Sequence, residues 1–128
     1  MYGIPVSEVE QRAPYLLHAP LGAAIAREKY GVTEPEILSA IACHTTGKPN
    51  MTLLEKIIYI ADYIEPMRTK AANLPQIRRM AFDDLDQAVY ITLRDTLRYI
   101  GDSSSLDKRT VEAYNYYQEL METREEME

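Results

Sequence analysis

Helix starts and helix stops punctuate this chain, and nothing between them alternates as a strand would. Thr52-Leu53-Leu54-Glu55 is a capping box, in which a hydroxyl and a carboxylate three residues apart each satisfy an end-turn N–H of the other. Apolar residues then recur at helical spacing to about Glu65. Pro66 stops them, because it has no N–H to continue the ladder. Thr33 and Glu36 repeat the box, with Pro35 in the first turn, and that helix reads to about His44. His18 to Tyr30 reads as a helix with Pro20 near its start and Gly31 just past its end. Pro75 opens another over 75–82, and Asp83 or Asp84 caps one from Leu85 to Ile100 that Gly101 ends. Asp107 starts the last helix, with Val111, Tyr114, Tyr117 and Met121 on one stripe. Residues 1–14 read as irregular, 45–50 and 103–105 as loops, and the glutamate-rich tail from Glu119 as fraying. The expected fold class is all-α, a single helical domain over 1–128.

Composition narrows the function classes. A chain of 128 residues can bury one core of its own. No apolar run is long enough to span a membrane, and no basic stretch followed by an apolar one marks a secretory leader. With Cys43 as the lone cysteine, these features predict a cytoplasmic protein with no membrane partner. One cysteine and two histidines cannot supply a zinc-finger ligand set. The formal charge of −6 argues against nucleic acid as a partner, although a local pair such as Lys48 and Arg68 can still meet a nucleotide.

A few polar residues lie on apolar helix faces. Asp62 follows Ile58 by four and Leu54 by eight, so its carboxylate is expected to face the core. There it needs a metal ion, an arginine or helix-end donors, and a structural salt bridge fits as well as a site does. His44 shares a face with Ile37, Ala40 and Ile41; it can ligate an ion or bond a loose carbonyl of the last turn. His18 shares a face with Leu21, Gly22 and Ile25, and Gly22 leaves room for a close neighbour or a ligand. Two imidazoles and a carboxylate together suit iron, manganese or zinc, but fill only half the shell of a six-coordinate ion. Gly47-Lys48 does not make a P-loop, since Ala42 and Pro49 stand where glycine and a hydroxyl residue are required. The loop can still meet phosphate through Thr45, Thr46 and Lys48, or be a capped connection with an exposed lysine. Arg68 can pair with an acid or clamp a phosphate. Arg78 and Arg79 read as a solvated face, Tyr114, Tyr116 and Tyr117 as packing, and Cys43 as a core filler.

From His44-Thr-Thr-Gly-Lys-Pro-Asn-Met-Thr-Leu-Leu-Glu through Ala61-Asp62-Tyr-Ile-Glu-Pro-Met-Arg68, the chain resembles the bacterial HD-domain symmetrical diadenosine tetraphosphatases, the YqeK-type proteins. The resemblance extends to Leu17-His18-Ala-Pro-Leu-Gly-Ala23, to Asp83-Asp-Leu-Asp-Gln-Ala88 and to Glu112-Ala-Tyr-Asn-Tyr116. It implies an HD-domain-like helical bundle that hydrolyses diadenosine tetraphosphate to two ADP at a two-metal centre, usually with iron bound. It places His18, His44 and Asp62 among the metal ligands, and Asp62, Lys48 and Arg68 among the catalytic residues. Thr45, Thr46, Gly47, Lys48 and Arg68 fall where the polyphosphate is met. The family pattern also has an earlier histidine and an adjacent His-Asp pair, and neither stands in this sequence. The resemblance thus implies a domain without its N-terminal portion, with fewer divalent ions or none, and with impaired hydrolysis of dinucleoside polyphosphates. The alternative is a non-catalytic helical module that binds nucleotide or dimerises; a cyclic dinucleotide or a guanosine alarmone is a third substrate reading. Apolar surface left open near His18 and Asp62 predicts a homo-oligomer, a dimer or larger.

Overall fold

The computed structural model describes residues 6–7, 11, 17–65, 73–101 and 106–127. These residues form six helices and no strand, as the punctuation predicts: α1 (His18–Tyr30), α2 (Pro35–Cys43), α3 (Leu53–Tyr63), α4 (Leu74–Asp83), α5 (Leu85–Ile100) and α6 (Lys108–Met127). Helix α1 packs on α2, α2 on α3 and α3 on α5, while α4 and α6 also pack on α5. Arg68, the loop at 103–105 and most of 1–14 lie outside the described residues.

Local chemistry sets most of the boundaries. Gly31 ends α1 in the left-handed conformation at φ 69°, its N–H reaching the Ala26 carbonyl. Both bonds of the Thr52–Glu55 box form at the start of α3. Asp84 caps α5 by accepting from the Gln87 N–H. The box expected at Thr33 does not form. Pro35 is the first residue of α2, and Glu34, extended at ψ 119° as a residue before proline tends to be, becomes the cap without a side-chain bond. The tail does not fray at Glu119 either. Helix α6 continues to Met127, with the Arg124 guanidinium gripping the Asp84 carboxylate at 2.7 Å across to the start of α5. Arg78 is not merely solvated. It is half-buried and donates to the Ile64 and Glu65 carbonyls, closing the C-terminal end of α3.

The core gathers Ile77 of α4, Ala88, Val89, Ile91 and Leu93 of α5, Ala113 and Tyr117 of α6, and Tyr59 and Ile60 of α3. Each large apolar side chain buried there contributes roughly 1.5–3 kcal/mol. Met51 and Cys43 extend the core toward the loop between α2 and α3. No helix among the described residues is long and apolar enough to cross a membrane.

The packed face of α3 differs from the expectation. Its buried residues are Glu55, Tyr59 and Ile60, while Asp62 and Ala61 are exposed, with Leu53 64%, Ile57 46% and Ile58 37% exposed. Apolar residues run around most of this helix, so spacing alone could not choose the face that packs. The face carrying Glu55 wins because donors from α2 and the loop meet its carboxylate there.

Candidate metal and phosphate site

His44 follows the last residue of α2 and is its C-cap, while His18 opens α1. Close packing of the two helices brings the residues together: a Cβ on Gly22 would sit 3.5 Å from Ile41 Cγ2, so the space left by Gly22 is filled by α2. His18 Nε2 and His44 Nε2 lie 3.0 Å apart, with the rings edge to face at a centroid distance of 4.8 Å. Thr45 Oγ1 lies 3.1 Å from the same His18 nitrogen.

The other nitrogen of His44 fixes the roles. Nδ1 is 2.6 Å from the Ile41 carbonyl oxygen. A carbonyl only accepts, so Nδ1 carries a proton and donates. In the neutral ring, Nε2 then holds the lone pair, and His18 Nε2 is the donor toward it. A backbone carbonyl holding Nδ1–H is the arrangement that orients an imidazole as a ligand through Nε2. The spacing suits an ion as well. Two nitrogens each about 2.1 Å from one ion, on bonds at right angles, stand about 3.0 Å apart. The pair therefore fits two adjacent positions around a divalent cation, provided the proton of His18 moves to its Nδ1.

Asp62 does not join them. Among the described residues no three His, Cys, Asp or Glu side chains gather where they could hold an ion. The core-facing carboxylate inferred from the spacing is corrected by the packing of α3: Asp62 sits on the exposed face.

The loop after His44 is anchored to the core. Thr46 is 3% exposed, with its carbonyl accepting from Thr110 Oγ1 at 3.0 Å. Gly47 is buried at φ 72°, its N–H bonded to the Cys43 carbonyl at 2.8 Å. Both residues face inward and anchor the loop. The Met51 N–H donates to Tyr117 Oη at 2.9 Å, and burial pushes that phenol up to about 12. Thr45 alone of the three stays at the edge of the histidine pair.

Lys48 is not an uncommitted cation. Its Nζ lies 2.6 Å from Glu55 Oε2 and donates to Ser39 Oγ at 2.7 Å. The Ser39 hydroxyl in turn donates to the same carboxylate oxygen, and Thr52 N–H donates to Oε1 at 2.8 Å. Glu55 is 1% exposed. Burial alone would raise its pKa, but the bonds from Lys48, Ser39 and the Thr52 backbone, together with the lysine charge, outweigh it and bring the carboxyl down to about 2. The adjacent Cys43 thiol is pushed up to about 11, by burial first and by the Glu55 charge next, which leaves it a protonated core filler as expected. In sequence, Glu55 stands out only as a cap. Ser39, Thr110 and Tyr117 carried no signal that tied them to the loop.

The chain is similar to known proteins over most of its length. Residues 4–67, a span that includes His18, His44 and Asp62, match the family described as HD domain. A symmetrical bis(5'-nucleosyl)-tetraphosphatase of Bacillus subtilis is 45% identical over 87 residues, 68% of this chain and 46% of that protein. Its namesake in Staphylococcus aureus is 43% identical over 105 residues, 80% of this chain and 54% of that protein. A crystal structure of a predicted HD superfamily hydrolase involved in NAD metabolism, from Clostridium acetobutylicum, superposes with a TM-score of 0.83 at 40% identity, covering 91% of this chain and 62% of that one. The chain spans about half the length of the curated relatives it matches.

Proposed function

The chain belongs to the HD domain family, and on that footing we propose that it serves in the divalent-metal-dependent hydrolysis of dinucleoside polyphosphates, diadenosine tetraphosphate to two ADP. The carrying observation is the histidine pair, two Nε2 atoms 3.0 Å apart with His44 held in the ligating tautomer by the Ile41 carbonyl. In this reading His18 and His44 hold the ion, iron by the resemblance, which also adds Asp62, a residue that the described fold leaves on the exposed face of α3. When bound, such an ion supplies hydroxide near neutral pH by lowering the pKa of water. Thr45 borders the reacting region, and Arg68 meets the polyphosphate. Lys48, whose ammonium is shared with Glu55 and Ser39 and whose side chain is 40% exposed, has a third N–H left for a phosphate oxygen.

Two imidazoles are too few donors for a pair of ions, so the proposal includes weak loading and slow turnover by these residues alone. The purified chain is expected to hold less than one tightly bound iron or manganese ion per molecule by elemental analysis. Supplied with excess metal, it is expected to release ADP slowly from diadenosine tetraphosphate, and His44→Ala should abolish the release. Heat of nucleotide binding without ADP would favour the non-catalytic module, and neither heat nor ADP would remove the nucleotide reading.

Self-association belongs to the same proposal. The edge formed by Leu53, Ile57 and Ile58 is apolar and exposed on α3, on the helix that carries Asp62. Sedimentation at tens of micromolar is expected to give a dimer or larger species, and a clean monomer would overturn that part.

A further inference from the structure

We infer that Glu55 is a positioning residue for His44: its buried carboxylate, acting through Lys48 and Ser39, holds the loop that leads out of His44 and so sets the approach of that imidazole to His18. The inference rests on the reading that His18 and His44 form an ion site, and it names what keeps that site in register.

A capping carboxylate does its work at the surface, where water shares the load. This one is 1% exposed, and a carboxylate buried to that degree needs donors well beyond the one N–H that the cap supplies. It has them from three places in the chain. Ser39 comes from α2, Lys48 from the loop and Thr52 from the entry to α3. His44 lies between Ser39 and Lys48 in sequence, so the two arms of the tether bracket it. Its backbone is the C-cap of α2 at φ −65° and ψ −21°, and its ring bonds a carbonyl three residues back. The Thr45 hydroxyl, one residue on, stands 3.1 Å from His18 Nε2, so the path of the chain beyond residue 44 bears on the pair. With the tether in place the turn closes through Gly47 N–H to the Cys43 carbonyl, and Nε2 points at His18. With it released, Lys48 is free to swing into solvent, and the turn loses the anchor nearest to His44 on its outer side. The anchors at Thr46 and Met51 hold the loop to α6, on the core side.

The test uses the full chain with Glu55→Gln, the milder Ser39→Ala, which keeps the ion pair, and the conservative Lys48→Arg. Three quantities are read: the unfolding midpoint, the tautomers of the two imidazoles from their ring nitrogen NMR signals without metal, and manganese affinity by calorimetry. Glu55→Gln is expected to mix the His44 tautomers and weaken manganese binding at least tenfold, Ser39→Ala to do both to a lesser extent, and Lys48→Arg to keep both near the parent. A lower midpoint with unchanged tautomers and unchanged manganese affinity in Glu55→Gln and Ser39→Ala would overturn the inference, since it would leave Glu55 a purely structural role. If Glu55→Gln does not fold, Ser39→Ala decides. If the parent chain itself fails to bind manganese, the ion reading falls by itself, and the tautomer signals still decide whether Glu55 positions His44.

Discussion

Glu55→Ala should destabilise the protein by about 3–4 kcal/mol, because it removes at one stroke the acceptor for three donors around a buried carboxylate. The Thr52 N–H loses its partner at the first turn of α3, and Ser39 Oγ keeps only Lys48. Lys48, with 40% of its side chain exposed, can turn to water, which keeps the loss below that of a stranded buried charge. Thermal unfolding should show a midpoint lower by on the order of 10 °C. A shift no larger than that of an exposed glutamate such as Glu36 would contradict the tether.

The same carboxylate gives the stability an acid limb. Its pKa is about 2 in the folded chain against an ordinary 4.5. A carboxyl whose folded value is depressed contributes fully above its unfolded value and loses the contribution as pH falls through the folded one. Roughly 2–3 kcal/mol, discounted for the partly exposed lysine, should therefore disappear between about pH 4.5 and pH 2. Asp107 carries the same sign: burial works against its charge, but the Arg109 bonds prevail and lower its pKa. Asp84 follows it through the Arg124 bonds. Urea titrations from pH 6 down to pH 3 should find Glu55→Gln less stable at the top of that range but falling less steeply than the parent. Parallel slopes would rule out Glu55 as a source of the acid limb.

Gly47→Val should be comparably damaging, at about 4 kcal/mol, with Gly47→Ala at about half of that. Two causes add. The backbone is at φ 72°, a region costly for any side chain and worst for a β-branched one. A Cβ there would also stand 3.3 Å from Leu93 Cδ2 and 3.5 Å from Ala113 Cβ, inside the α5–α6 core. Packing and backbone conformation both require the glycine. Urea unfolding compares the two variants, and near-parent stability of Gly47→Val would show that the loop can leave the core without loss.

The sequence by itself determined the helices and most of their ends, because the causes are local: the Thr52–Glu55 box, the Asp84 cap, the left-handed Gly31 and Gly101 at the close of α5 act through groups a few residues apart. It also marked His18 and His44, two polar residues on otherwise apolar faces. Pro35 misled at Thr33 only because a box and a proline competed for one helix start. What the tertiary structure decided was direction. Helix α3 is apolar on most sides, so only its packing on α2 and α5 could bury Glu55 and leave Asp62 exposed. Lys48 can reach either solvent or the carboxylate, and only the fold, by bringing Ser39 and Glu55 beside it, settles which. Caps depend on neighbours in the chain, whereas the partner of a long charged side chain depends on which helices meet, and periodicity does not encode that when most faces are apolar.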